Sequence, residues 1–254
     1  LSISVAFKIL KQLLKEKIYK HQLVRRRVIL TDINFDIFKN LLKKNNPNFC
    51  TFYSNHVASS MHRYWEAAFP KDYDSQTQSK KWIKRYKHEI DFAMQSTEKI
   101  IRDLLNYSKT RPNCEIWICT SMGQGPIQNY ESISSQLILN DKDKFFGYFN
   151  LDSKKFNIKP TMMPRFTFES NDKSNIELLK KKLNNLKLNG KNIQQMSVGK
   201  TLTIKLEHIN TEPDFKYNGF SIKKDLLGMK MIEIEDNSGS SAYHVPEGCL
   251  FIFG

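Results

Sequence analysis

Three stretches of this 254-residue chain carry side chains that could do chemistry: Ser54–His62, Thr120–Gln124 and Tyr243–Gly248. His62 and His244 offer imidazole nitrogens, which suit a divalent ion such as zinc. His56 and Asn55 lie in the first stretch and could add donors to them. Two histidines alone fall short of a catalytic zinc site, which takes three protein ligands and an open position. Ser121 only superficially suggests an activated hydroxyl, because Thr120-Ser121-Met122-Gly123-Gln124 lacks the Gly-x-Ser-x-Gly elbow. Gly123-Gln124-Gly125-Pro126 could turn backbone N–H groups toward a phosphate, although Pro126 removes one donor and a plain loop is the simpler reading. Glu233, Glu235 and Asp236 suggest a cation site, but alternation along an exposed strand explains the two glutamates. The expected metal ligands are therefore His62 and His244, with His56 as a supplement. The expected ligand pocket is Asn55, Ser121, Gly123 and Gln124.

The elements that must position these residues can be read from periodicity. Ile3, Phe7, Leu10, Leu14 and Ile18 recur at helical spacing and predict an amphipathic first helix. Asp32 reads as the N-cap of a second helix bearing Phe35, Phe38, Leu41 and Leu42, which stops at Asn45-Asn46-Pro47. Asn48–Tyr53 reads as a short buried strand. A helix with the stripe Val57, Met61, Tyr64, Trp65 and Ala68 follows, closed by Pro70. Ser79 to Asn106 predicts one long helix with Trp82, Tyr86, Ile90, Ala93, Thr97, Ile100 and Leu104 on a single face. Glu115–Thr120 reads as a central strand.

Short strands are expected at Ser135–Leu139, Arg165–Glu169, Lys200–Glu207, Met229–Glu235 and Cys249–Phe253, with one helix at Ser174–Leu186. Asn189-Gly190 and Asn237-Ser238-Gly239 read as turns. The helix–strand alternation predicts an α/β fold with a parallel sheet flanked by helices. Residues 1–127 and 228–254 would form this core, and 128–227 a smaller inserted α+β lobe.

The order of motifs resembles the alkaline phosphatase superfamily, in its type I phosphodiesterase/nucleotide pyrophosphatase branch. In that branch a strand leads to an Asp-x-x-x-His helix, matched by Phe52-Tyr53-Ser54-Asn55-His56-Val57-Ala58-Ser59-Ser60-Met61-His62. A long helix with Tyr and Ile-Asp follows, matched by Tyr86 and Ile90-Asp91. The family's Ser-Asp-His-Gly strand end corresponds to Thr120-Ser121-Met122-Gly123. Its His-x-Pro-x-Gly segment corresponds to His244-Val245-Pro246-Glu247-Gly248. The resemblance covers about residues 30 to 125 and 228 to 254. It implies metal-dependent hydrolysis of a phosphodiester or sulfate ester, with a metal-activated hydroxyl attacking in line.

The departures are large. Ala58 stands at the Asp position, Ser121 and Met122 replace the Asp-His pair, and the nucleophile would have to lie before Leu1. One divalent metal, zinc or manganese, or none is then expected. A non-catalytic ligand-binding protein of the same fold is the alternative, and a basic nucleic-acid-binding protein the second.

The chain carries 40 Lys+Arg against 26 Asp+Glu, a net charge of +14, but only eight of the basic residues are Arg. Nucleic-acid binding favours clustered Arg among aromatics, and only Arg25-Arg26-Arg27 clusters. The expected partner is an anionic small molecule or ester substrate, steered by the positive field. Apolar runs such as Leu250–Phe253 are too short to span a bilayer. Lys8, Lys11, Lys15 and Lys17 break any signal-peptide layout at the start. The four cysteines show no C-x-x-C spacing, which favours a reducing compartment such as the cytoplasm. The chain opens on Leu1 and is expected to be a piece of a longer frame, so a periplasmic location stays open.

Overall fold

A computed structural model describes residues 1–161, 164–206, 210–234 and 236–254. In chain order the elements are α1 (Ile3–Ile18), α2 (Arg26–Asn45), α3 (His56–Ala68), α4 (Lys80–Tyr86), α5 (Glu89–Ser108), β1 (Ile116–Thr120) and β2 (Gly123–Pro126). There follow β3 (Ser135–Leu139), α6 (Lys142–Tyr148), β4 (Asn157–Lys159), β5 (Arg165–Glu169), α7 (Lys173–Leu183), β6 (Leu186–Leu188) and β7 (Lys191–Asn192). The last are β8 (Gln194–Val198), β9 (Thr201–Lys205), β10 (Phe215–Tyr217), β11 (Phe220–Ile222), β12 (Met229–Glu233), β13 (Ala242–Val245) and β14 (Cys249–Phe253). The expected strand ends at Glu207 and Glu235 lie outside the described residues. No described helix is long and apolar enough to cross a membrane.

The parallel sheet of an alkaline-phosphatase-like fold is not what forms. Every described strand pair is antiparallel: β1 with β14, β2 with β13, β3 with β12, and two four-stranded sheets ordered β11-β10-β6-β7 and β4-β5-β9-β8. The physical reason lies in Glu115–Thr120, read as a central strand from its apolar content. A central parallel strand is covered on both faces, whereas β1 is paired only with β14 and leaves Trp117 exposed. Asn48–Tyr53 forms no strand and is irregular, exposed at every position but Phe52. Phe52, half-buried, packs its ring 5.3 Å from those of Phe35 and Phe38.

The chain divides into two compact units, residues 1–132 with 235–254, and residues 133–234. In the first, α3, α4 and α5 pack around Tyr64, Ala67, Trp82, Tyr86 and Ile90. The expected long helix is broken at Lys87–His88 into α4 and α5, yet its apolar stripe persists across the break and supplies Trp82, Tyr86, Ile90, Ala93 and Ile100 to the interior. Asp32 is not a cap. It lies within α2, buried, accepting from Ser96 Oγ at 2.6 Å and paired with Lys8. Helix α1 is turned over: Val5, Gln12 and Glu16 face the protein, and the predicted apolar stripe faces outward. Its seat is polar, with Glu16 bound by Arg26 and the Ser2 N–H donating to Asp36 at 2.6 Å.

The second unit is closed by β12 pairing along β3, and its interior interleaves phenylalanines with leucines and isoleucines. Phe146 stacks on Phe156 at 4.3 Å and Phe145 on Phe168 at 5.3 Å. Asn189-Gly190 and Asn218-Gly219 turn the β6–β7 and β10–β11 hairpins, all four residues at positive φ as a two-residue turn of this hand requires. Gly228 has φ +61, and its carbonyl accepts from the N–H groups of both Asn140 and Asp141 at 2.9 Å. A Cβ there would lie 2.0 Å from the Asp141 carbonyl oxygen. Gly228→Ala is expected to lower the stability of this unit by about 2 kcal/mol or more. Urea unfolding followed by near-ultraviolet circular dichroism checks this, and an unchanged midpoint would contradict it.

Candidate functional site

Segments 116–126 and 242–253 form one antiparallel ribbon in two pieces. In one piece Thr120 faces Cys249, and in the other Gly123 faces Val245. Two residues, Ser121 and Met122, therefore oppose three, Pro246, Glu247 and Gly248. That is a one-residue bulge, a device that kinks a ribbon and re-aims its side chains. Both strands need glycine there. A Cβ on Gly248 would meet the Thr120 carbonyl oxygen at 2.2 Å, and one on Gly123 would meet the Glu247 carbonyl oxygen at 2.9 Å.

Ser241, just before β13, fastens helix α3 to this ribbon. Its N–H donates to the His62 carbonyl at 2.6 Å, and its hydroxyl donates to the same oxygen at 3.1 Å while accepting from the Trp65 N–H at 3.2 Å. The Ser241 carbonyl accepts from the Tyr73 hydroxyl at 2.5 Å and from the Ile127 N–H at 2.9 Å. Burial raises the Tyr73 hydroxyl to about 12, so it stays a donor.

The result is a corner of three side chains. His62 Nδ1 lies 2.6 Å from the Ala242 carbonyl oxygen. A carbonyl only accepts, so Nδ1 carries the proton and Nε2 keeps its lone pair. Burial lowers the His62 pKa most; His244 and Arg63 add to the lowering and the Ala242 bond opposes it. The ring is therefore neutral at pH 7. His244 sits 4.8 Å away, centroid to centroid, with the two rings at 87°. Across the ribbon Gln124 Nε2 donates to His244 Nδ1 at 2.9 Å, while Gln124 Oε1 is buried without a partner among the described residues. Tyr243, exposed, flanks both imidazoles at 4.9 and 5.7 Å.

The other expected ligands fall elsewhere. His56 is buried with both ring nitrogens engaged: Nδ1 meets Ser54 Oγ at 2.7 Å, and Nε2 meets Thr97 Oγ1 at 3.0 Å and the Ala93 carbonyl at 3.2 Å. It holds α3 to α5 and has no nitrogen to spare for a metal. Asn55 and Ser121 are exposed, and their side chains make no hydrogen bond to the corner. Gly123 serves the ribbon's close approach, and β2 uses its backbone in pairing with β13 rather than as a phosphate cradle. No three His, Cys, Asp or Glu side chains come together among the described residues. A catalytic metal centre with three protein ligands does not fit this donor set. No family model, no curated protein and no solved structure matches the chain.

A second constellation carries no motif that periodicity could reveal. Asp236, 2% exposed, accepts from Tyr64 Oη at 2.6 Å, from Arg27 at 3.2 Å and from Arg63 at 3.2 and 3.3 Å. Burial pushes this carboxyl up, but Arg63, the Tyr64 hydroxyl and Arg27 together hold it below its ordinary range. Arg27 and Asp236 are 209 positions apart, so no local signal joins them. Asp236 is thus no cation ligand, and Glu235 lies outside the described residues. Each member of the arginine triplet is paired with a buried carboxylate. Arg25 grips Glu89 at 2.8 Å, Arg26, itself exposed, pairs with Glu16, and Arg27 pairs with Asp236.

Two outcomes follow. Asp236→Asn strands Arg27 and Arg63 and is expected to cost about 3 kcal/mol, read by urea denaturation; a loss near zero would mean the cluster is solvated. The histidines set a pH dependence. His21, His56 and His62 all have pKa values lowered chiefly by burial, from an ordinary value of 6.5. The unfolded chain then binds more protons, so stability is complete above about pH 6.5 and is lost as pH falls through the lowered values. Thermal unfolding from pH 8 to pH 5 should show a flat plateau and then a decline, shallower in His56→Gln.

Proposed function

We propose that this chain is a binding protein that takes one divalent cation of the zinc class at His62 and His244. Through the cation's open positions it would hold an anionic ligand of the phosphate- or sulfate-ester class. The observation that carries this reading is the His62 Nδ1–H donated to the Ala242 carbonyl beside a second imidazole. A ring fixed by a carbonyl on one nitrogen is the usual support of a metal-ligating histidine, because it sets the tautomer and frees the other nitrogen. Lowering of the His62 pKa favours the same neutral form, with no proton to displace at neutral pH.

Gln124 supplies a switch for the second ligand. In its present orientation the amide donates to His244 Nδ1, which places that ring's proton on Nε2. Turning the amide by half a rotation brings Oε1, now without a partner, onto a protonated Nδ1 and frees His244 Nε2. The bound cation would supply positive charge to the ester. The chain's own residues orient the imidazoles and flank them with Tyr243. Two imidazoles are one ligand short of a catalytic zinc site, which is why the reading is of binding rather than hydrolysis.

The test is zinc titration at pH 7.5 against a chromogenic chelator. One zinc per chain is expected, lost in His62→Ala/His244→Ala. Gln124→Glu, whose carboxylate can only accept from Nδ1, should tighten binding roughly tenfold, and Gln124→Leu should weaken it by a similar factor. Phenyl phosphate should bind only to the zinc-loaded protein. Absence of zinc binding, or undiminished binding in the double variant, overturns the site. Turnover of nitrophenyl phosphate that disappears in His62→Ala would instead replace binding by hydrolysis.

A further inference from the structure

Helix α1 presents a hydrophobic face that nothing in its own unit covers. Ile3, Phe7, Leu10, Leu14 and Ile18 are between 55 and 90% exposed, and Leu13 is exposed beside them. At 3.6 residues per turn the stripe lies opposite Val5, Gln12 and Glu16, the residues by which α1 rests on the protein. The helix is held in this pose by its polar side. Gln12 Nε2 donates to the Gln22 carbonyl at 2.7 Å, Glu16 is bound by Arg26, and Lys8 pairs with Asp32. Rolling α1 to bury the stripe would break all three, so the outward face is built in.

What surrounds the stripe says what it fits. Lys11 and Lys15 border it on one side, and Lys17 and Lys20 lie at its C-terminal end, all exposed. Glu16 is the helix's only acid, and it is buried and neutralised by Arg26. The accessible part of α1 is thus apolar and cationic with no exposed carboxylate, on a chain of net charge +14. A second copy would bring the same lysines against these and repel. An anionic bilayer surface complements both features, since acyl chains take the apolar stripe and acidic headgroups take the lysines. With 16 residues, α1 is too short to span a bilayer and lies in its plane. We infer that α1 is a docking element for anionic membrane surfaces, seated with Phe7, Leu10 and Leu14 in the headgroup–acyl boundary and Lys11, Lys15 and Lys17 on acidic lipid.

Flotation of the whole chain with phosphatidylcholine vesicles, with and without phosphatidylserine, tests this. Binding is expected only to the anionic vesicles, weakening as salt rises. Lys11→Gln/Lys15→Gln/Lys17→Gln should lower the partition coefficient roughly a hundredfold. Phe7→Asp/Leu14→Asp should abolish binding while circular dichroism stays unchanged, because both side chains already face solvent. Absence of anionic-vesicle binding, or equal binding to both vesicle types, overturns the proposal. A chain that stays off vesicles but forms a dimer by light scattering, lost in Phe7→Asp/Leu14→Asp, assigns the face to a second copy instead.

Discussion

The polar atoms of Ser241 hold the first unit's chemistry in place. The side chain and N–H bind the carbonyl and amide of consecutive turns of α3, and the carbonyl binds Tyr73 and the end of β2. Because Ser241 is fully buried, each of these bonds lies away from water, and breaking one leaves a group unsatisfied rather than resolvated. His62 and His244 are 182 positions apart, yet they meet because Ser241 sets the distance between α3 and β13. The corner is therefore a property of a junction, with its two imidazoles delivered from a helix and a strand.

Burial of carboxylates governs the rest of the first unit. Glu16, Asp32, Asp36, Glu89 and Asp236 are all nearly inaccessible, and each is met by a cation or an N–H donor. Removing one member of such a pair is costly, though the pair itself adds little over a hydrophobic substitute. Its value here is positional, since the ion pairs decide which side of α1 faces in. By drawing acids inward they also leave the surface more cationic than the composition alone implies.

Legibility in the sequence followed the range of the cause. Locally caused features were readable: β3, β5 and β14 fall where alternation or apolar runs placed them, and Asn189-Gly190 turns a hairpin as its φ preference requires. Features decided by distant partners were not. The apolar run of β1 is equally compatible with a covered central strand and an exposed ribbon, and only pairing with β14 distinguishes them. The stripe of α1 is legible as apolar, but its direction depends on Arg26, Asp32 and Asp36, which periodicity does not weigh. His62 and His244 were legible as ligand types. Ala242, Gln124 and Ser241, which fix their tautomers and separation, carry no signature of their own.

The bulge opposite Ser121 and Met122 gives this ribbon a parity. Side chains on a strand alternate with period two, so one inserted residue exchanges the two faces for everything beyond it, while two restore them. Segment 246–248 thus acts as a phase element between β13 and β14. Lengthening it by an even number of residues keeps His244 opposite Gln124 with Cys249, Phe251 and Phe253 on their present side of β14. An odd change exchanges them with Leu250 and Ile252, and because every residue of β14 is apolar and exposed, that strand can take either phase while His244 cannot.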